Sequence, residues 1–233
     1  MLFYFDWTWW LMIPAILIAF YAQIRVKSAY TKYSKEVSSS GLSGASVARR
    51  ILDEAGLTDV AIERIPGELT DHYDPRTRVL RLSDGVYQSH SLAATGIAAH
   101  EVGHAIQHQQ TYLPLMFRNG IAPVVAFGQH IWYILIIASI FMMYSFGGWP
   151  LWVIDLGIMI MTGVVIFQVV TLPVEFNASH RAIKLLTTGG IITETEVGAA
   201  KAVLNAAAFT YVAATLAAIL QLLRLLLMRR SRD

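Results

Sequence analysis

Not one of the 233 residues is a cysteine. Disulfides and thiolate metal ligands are therefore excluded, and any nucleophilic or metal chemistry must rest on histidine, carboxylates or hydroxyls. Charge is also scarce: Asp, Glu, Lys and Arg make up 15% of the chain, and the formal net charge is only +2. This balance provides no basic surface for nucleic acid, because the basic residues cluster beside apolar stretches rather than on a separable domain. The sequence carries no internal repeat.

What the chain does have is apolar length. Hydrophobic residues account for 55% of it, above the roughly 45–50% of ordinary globular domains, and they gather near 7–24, 121–144, 151–172 and 206–223. About 20 apolar residues suffice to cross a bilayer core as a helix. The first stretch has no basic residue before it, carries Trp7, Trp9 and Trp10, and lacks a small-residue cleavage site after it, so it reads as a retained anchor rather than a signal peptide. The turn around Gly147-Gly148-Trp149-Pro150 is too short for anything but a hairpin.

Between these stretches lies polar sequence with recognisable punctuation. Arg25 to Val37 continues the anchor, and Ser38 to Gly44 reads as a short flexible break. Ala45 to Ala55 has helical periodicity, with Ser43 or Ser46 as cap and Gly56 as stop. Val60–Ile65 and Arg78–Leu82 alternate apolar and polar as two strands, joined by a loop holding Pro66, Gly67, Asp74 and Pro75. Ser91 to about Gln110 is helical in pattern. Pro173 fits the first turn of a new helix that runs to Gly189-Gly190, and Thr193 with Glu196 forms a capping box before an Ala-rich helix. The predicted organisation is an anchor over 1–24, an extramembrane domain over 25–118, a membrane hairpin over 119–172, a polar helix and its successor over 173–205, and an apolar helix with basic tail over 206–233.

The motif of chief interest is His100-Glu101-Val102-Gly103-His104. Residues four apart lie about one turn apart on one helix face, so two imidazoles converge on a single ion while the adjacent glutamate reaches a bound water. A catalytic zinc needs a third protein ligand and an open position. Candidates are His72, His90, His108, Glu175 and His180. His108 lies about 12 Å along the helix from His100 and cannot share its ion. The longer His-only pattern is not met, because Gln107 and Gln110 occupy its places. Topology favours Glu175, which follows the third apolar stretch and is returned by the hairpin, although an acidic residue there also suits a helix N-terminus. Given zinc, Glu101 is the general base, and the oxyanion donor is to be sought among His72, Tyr73, His180 and Arg181.

At LTDHYDPRTRVLRLS (69–83), AAHEVGHAIQH (98–108) and LPVEFNASHRA (172–182) the chain resembles the YugP-like family of bacterial membrane zinc metallopeptidases. The resemblance spans nearly the whole chain, and three separated motifs in order are more specific than HExxH alone. More distantly the chain is similar to HtpX-type membrane peptidases. In that type a later-helix glutamate completes the zinc site, and an aspartate four residues on supports a ligand. Carried onto this sequence, the resemblance implies His100, His104 and Glu175 as ligands of one Zn2+ and Glu101 as base. Ser179 stands where the supporting aspartate would be, and Asn177 is a substitute for that role. The implied fold is a mainly α membrane protein of three to four transmembrane helices, with a small α+β zincin-like domain built on the HExxH helix.

The implied partners are a protein or peptide substrate near the membrane and the lipid bilayer itself, with no nucleic acid. Basic residues favour the cytoplasmic side of span ends. Arg25, Lys27, Lys32, Lys35, Arg118, Arg181, Lys184 and Lys201 stand on the catalytic side against Arg224, Arg229, Arg230 and Arg232 at the far end. A catalytic face in the bacterial cytoplasm follows, with the C-terminal arginines in conflict. Gln129, His130 and Gln168 inside the spans are expected to hydrogen-bond between helices rather than serve transport. Two other functions remain: a non-proteolytic scaffold or chaperone-like relative keeping the zinc, and a transporter.

Overall fold

The computed structural model describes residues 7–146 and 151–231. A 3-10 turn, Trp7–Leu11, leads into α1 (Met12–Tyr33). Then come α2 (Gly44–Glu54), β1 (Ala61–Ile65), β2 (His72–Asp74), β3 (Val79–Ser83), α3 (Asp84–Tyr87) and α4 (Leu92–Gln109). Three long helices complete the chain: α5 (Leu113–Phe146), α6 (Leu151–Thr188) and α7 (Val197–Arg230). Internal contacts gather into two compact units. One comprises the described residues within Met1–Tyr21, Phe117–Thr171 and Tyr211–Asp233, the other Ala22–Met116 with Leu172–Thr210.

In the first unit many large apolar side chains point outward around a small buried cluster of Met161, Val164, Leu225 and Met228. Ile16, Phe20, Val124, Phe127, Ile137 and Met159 are all more than half exposed, an arrangement suited to lipid and not to water. Among the described residues three helices are long and apolar enough to cross a membrane: Thr8–Tyr33, Leu151–Thr188 and Val197–Arg230. The expected stretch 121–144 falls on α5, where the side chains of 139–146 lie outside the described residues, as do Trp149 and the hairpin at 147–150. The Arg224 guanidinium stacks 3.9 Å above the Trp9 ring, and Arg229 Nε donates to Asp155 Oδ1 at 2.8 Å. Arg224 and Arg229 therefore meet the starts of the N-terminal helical segment and of α6. The expectation of hydrogen bonds from Gln129, His130 and Gln168 is corrected. None of them makes a side-chain bond between helices, and Gln129 and His130 are exposed.

The second unit has an ordinary protein core. Val47, Ile51 and Leu52 of α2 pack with Leu80 and Leu82 of β3, Ala98 and Val102 of α4, and Ala182 and Leu186 of α6. Each leucine or isoleucine so enclosed contributes roughly 1.5–3 kcal/mol. Ser43 caps α2 by accepting the Ser46 N–H, and Gly56 beyond its end takes φ +72, which only glycine adopts freely. The two expected strands are present as β1 and β3, and they pair in parallel. The third, β2, was not expected: Asp74, assigned to a loop, closes a three-residue strand antiparallel to β3. The sheet order is β1-β3-β2, so β2 forms one edge. Arg81 of β3 ties the sheet together, reaching Glu63 of β1 and Asp74 of β2 at 3.1 Å each.

Two further expectations are corrected. The segment after α1 is pinned rather than loose, because Ser38 N–H donates to His90 O and Ser39 donates twice to the Glu196 carboxylate. No new helix starts at Pro173, which lies inside the continuous α6. Proline removes one N–H···O bond and crowds the preceding turn. The fully buried Val174, Ala178 and Ala182 on the following turns hold the helix through that defect. The predicted stop is where the chain ends α6: Gly190 takes φ +61, and Ile191 N–H returns to Leu186 O at 2.9 Å.

Candidate metal centre

α4 carries the HExxH residues through the middle of the second unit. Ser91 caps it by accepting the Ala94 N–H, and Leu92, Ala94, Ala98 and Val102 bury its apolar face. Its small residues set how closely α6 can approach. A Cβ on Gly103 would stand 2.8 Å from the Ala178 carbonyl oxygen, so only glycine lets the two backbones meet there. That contact brings Glu175 and Ser179 of α6, one turn apart, against His100 and His104 of α4.

The donor atoms converge. His100 Nε2 lies 3.2 Å from Glu175 Oε2, His104 Nε2 lies 3.1 Å from His100 Nε2 and 3.6 Å from the same carboxylate oxygen. One ligand atom from each of His100, His104 and Glu175 falls within 4.8 Å of the others. Which protons the rings hold follows from their rear nitrogens. His104 Nδ1 is 3.0 Å from Gln107 Oε1, while Gln107 Nε2 donates to Val174 O at 2.8 Å and to Asn177 Oδ1 at 3.0 Å. With the amide nitrogen so committed, its oxygen faces His104, which must hold its proton on Nδ1 and present a lone pair at Nε2. His100 Nδ1 is bonded to Ser179 Oγ at 3.1 Å. The His104 Nε2 lone pair and the buried Glu175 carboxylate oxygen are aimed at the point that His100 Nε2 also faces, an arrangement that a cation between them would stabilise. Two histidines and a glutamate are a donor set that catalytic zinc takes, with a further position left open.

Glu101 is 9% exposed, and its Oε2 accepts the Tyr73 N–H at 3.1 Å. Burial pushes its carboxyl up to about 7, reinforced by the Glu175 and Asp71 carboxylates and opposed by His100 and the Tyr73 N–H. The 69–83 motif is the frame that holds this N–H in place. The Asp71 carboxylate accepts the Ser83 N–H at 2.7 Å and its hydroxyl, while Asp74 accepts from Arg76 N–H and Thr77 Oγ1 to close the turn into β3.

The remaining candidates are not brought to the cluster. His72 is exposed with Nδ1 on Thr70 O, and His90 bonds Gly41 O. His108 pairs with Tyr73 Oη at 3.0 Å. Arg181 reaches Asn177 and Gln110, and His180 is exposed between α6 and α7. Of the two residues considered for supporting a ligand, Ser179 touches His100 directly, whereas Asn177 reaches His104 only through Gln107. Gln107 itself was missed. It was read only as the wrong residue for a longer motif, although a glutamine three residues past the second histidine, on the buried face of an apolar helix, was the available signal.

A family model described as "Putative neutral zinc metallopeptidase" matches residues 8–230. The chain is 47% identical over 214 residues to "Putative membrane protease YugP" of Bacillus subtilis (strain 168), covering 92% of each chain. No solved structure matches it significantly. Together with three membrane-length apolar helices and a histidine–glutamate cluster able to hold a metal, these matches show that the chain belongs to that neutral zinc metallopeptidase family.

Proposed function

We propose that this protein is a membrane-integral zinc-dependent endopeptidase, with His100, His104 and Glu175 holding one zinc and Glu101 acting as general base. The observation that carries the reading is the convergence of Glu175 Oε2 and the two Nε2 atoms, with both rear nitrogens already bonded. Zinc bound there supplies a Lewis acid that acidifies water and polarises the scissile carbonyl. Glu101 takes the proton of the attacking water as its oxygen bonds to the carbonyl carbon. It then delivers that proton to the leaving nitrogen as the C–N bond breaks, giving a carboxylate and an amine. The Tyr73 N–H holds the carboxylate in line for both transfers. β2 pairs on one side only, and its outer edge suits an extended substrate segment added as a further strand.

The cytoplasmic side of a bacterial plasma membrane is the proposed place of catalysis. It is supported by Arg25, Lys27, Lys32 and Lys35 at the end of the N-terminal span. The substrate is then a membrane-proximal protein segment.

The deciding experiment pairs zinc content with cleavage of a peptide blocked at both ends, using detergent-purified protein. Glu101→Gln is expected to keep zinc and to lose activity by roughly a thousandfold or more. Full activity in that variant removes the proposed base. A zinc-loaded wild type without any cleavage leaves the scaffold reading in its place.

A further inference from the structure

A cleft of about 640 Å3 opens between α6 and α7, lined in part by Ser179, which also bonds His100. Its polar lining holds two ammoniums, Lys184 of α6 and Lys201 of α7, beside His180 of α6 and Asn205 of α7. All four are exposed, and neither ammonium is ion-paired among the described residues. Its apolar wall is made by Phe176, Ile183 and Leu204, and Phe176 is 48% exposed.

The arrangement follows from helix geometry. Phe176, His180 and Lys184 stand on successive turns of one face of α6, and Lys201 and Asn205 are one turn apart on α7. Lys184 lies four residues before the end of α6 and Lys201 four residues after the start of α7, so both line the cleft near the turn that joins the helices. A single lysine on a helix is ordinarily a solvated charge. Two of them, unpaired, with an imidazole and an amide above an apolar wall, form a set of donors suited to a phosphate anion with an apolar substituent.

We propose that this cleft binds a phosphate-bearing ligand. Lys184 and Lys201 hold the phosphate, His180 and Asn205 donate to it, and Phe176, Ile183 and Leu204 cover the apolar part. An acidic phospholipid headgroup and a free phosphate share this chemistry, and the apolar wall favours the lipid. Occupancy also has a route to His100, since Ser179 lines the cleft. When Ser179 Oγ accepts the His100 Nδ1 proton, its own hydroxyl is left to donate to the phosphate. That makes Oγ a stronger acceptor and His100 Nε2 a stronger metal donor. This coupling rests on the metal-centre reading; binding in the cleft does not.

The test uses full-length protein in neutral detergent and native mass spectrometry of retained lipid, offered equimolar phosphatidylglycerol and phosphatidylcholine. Wild type is expected to prefer phosphatidylglycerol by roughly tenfold, and Lys184→Gln/Lys201→Gln to lose that preference. Lys184→Arg/Lys201→Arg should keep it, and so should a remote control at α1, Lys27→Gln on the helix with Lys35→Gln just beyond its end. Asn205→Trp fills the cleft without changing charge and should also abolish it. Equal retention by wild type and the double glutamine variant, or equal loss in the α1 control, overturns the site. Displacement of the lipid by inorganic phosphate assigns the cleft to free phosphate and removes the apolar contact. Repeating the binding on Glu175→Ala separates the cleft from the metal centre, because preference there should be unchanged. The coupling is read as slower loss of zinc to a chelator when phosphatidylglycerol is present, in wild type but not in Ser179→Ala. Identical loss rates with and without the lipid remove it.

Discussion

His104 and His100 stand one turn apart on the same helix, yet their rear nitrogens are held in contrasting ways. His104 bonds to the amide of Gln107, which is itself fixed by Val174 O and Asn177, and Asn177 in turn accepts from Arg181. An amide has distinct donor and acceptor ends, so once its nitrogen is committed the tautomer of His104 is set. His100 Nδ1 bonds only to the Ser179 hydroxyl, which rotates and can donate or accept. The same motif therefore contains one histidine fixed by the interior and another left adjustable beside an open cleft.

Several substitutions put pressure on this contrast. The largest effect is expected from Glu175→Ala, which removes the carboxylate both histidines face: zinc measured by elemental mass spectrometry should fall to background. Retention equal to wild type would mean that another residue completes the site. Gln107→Ala should come next, weakening zinc binding by roughly 10–100-fold. It should also lower stability, because a buried His104 N–H loses its partner at about 1–3 kcal/mol. Competition with a chelator and a denaturant titration read the two effects separately.

Gly103→Ala tests the contact beneath both histidines. Its new methyl would meet the Ala178 carbonyl at 2.8 Å, so a loss of about 1–3 kcal/mol in unfolding free energy is expected. An unchanged denaturation midpoint would show that α4 and α6 can separate freely. The smallest effect belongs to Ser179→Ala, at less than about tenfold in zinc affinity, while Ser179→Asp should tighten binding by giving His100 a fixed acceptor. If Ser179→Ala weakened zinc as much as Gln107→Ala, the difference between the two sides would be gone.

Much of the site was legible because helix periodicity is local. His100, Glu101 and His104 are fixed relative to one another by a turn of helix, whatever surrounds them, and the stops at Gly56 and Gly189-Gly190 follow from backbone freedom alone. Pro173 misled because proline is ordinarily a helix starter, and its penalty was outweighed by packing on the turns beyond it. β2 was not recognised because three residues, His72 to Asp74, are too short to show alternation. The same segment is rich in turn formers, and pairing with β3 decided its conformation.

The sequence alone determined the class of chemistry. It has no cysteine, a single HExxH, apolar stretches of membrane length, and enough specific motif to indicate its family. Only the tertiary structure decided that Glu175 stands with the two histidines rather than capping a helix. Only it decided that Gln107 and Ser179 divide the hydrogen bonds to the two histidines, and that His72 and His180 stand apart. The reason is physical: spacing along one helix is set by bonds between near neighbours, whereas Glu175 meets His100 across 75 positions. Such a meeting depends on how closely two helices pack, and here that distance is set by a glycine facing a backbone carbonyl.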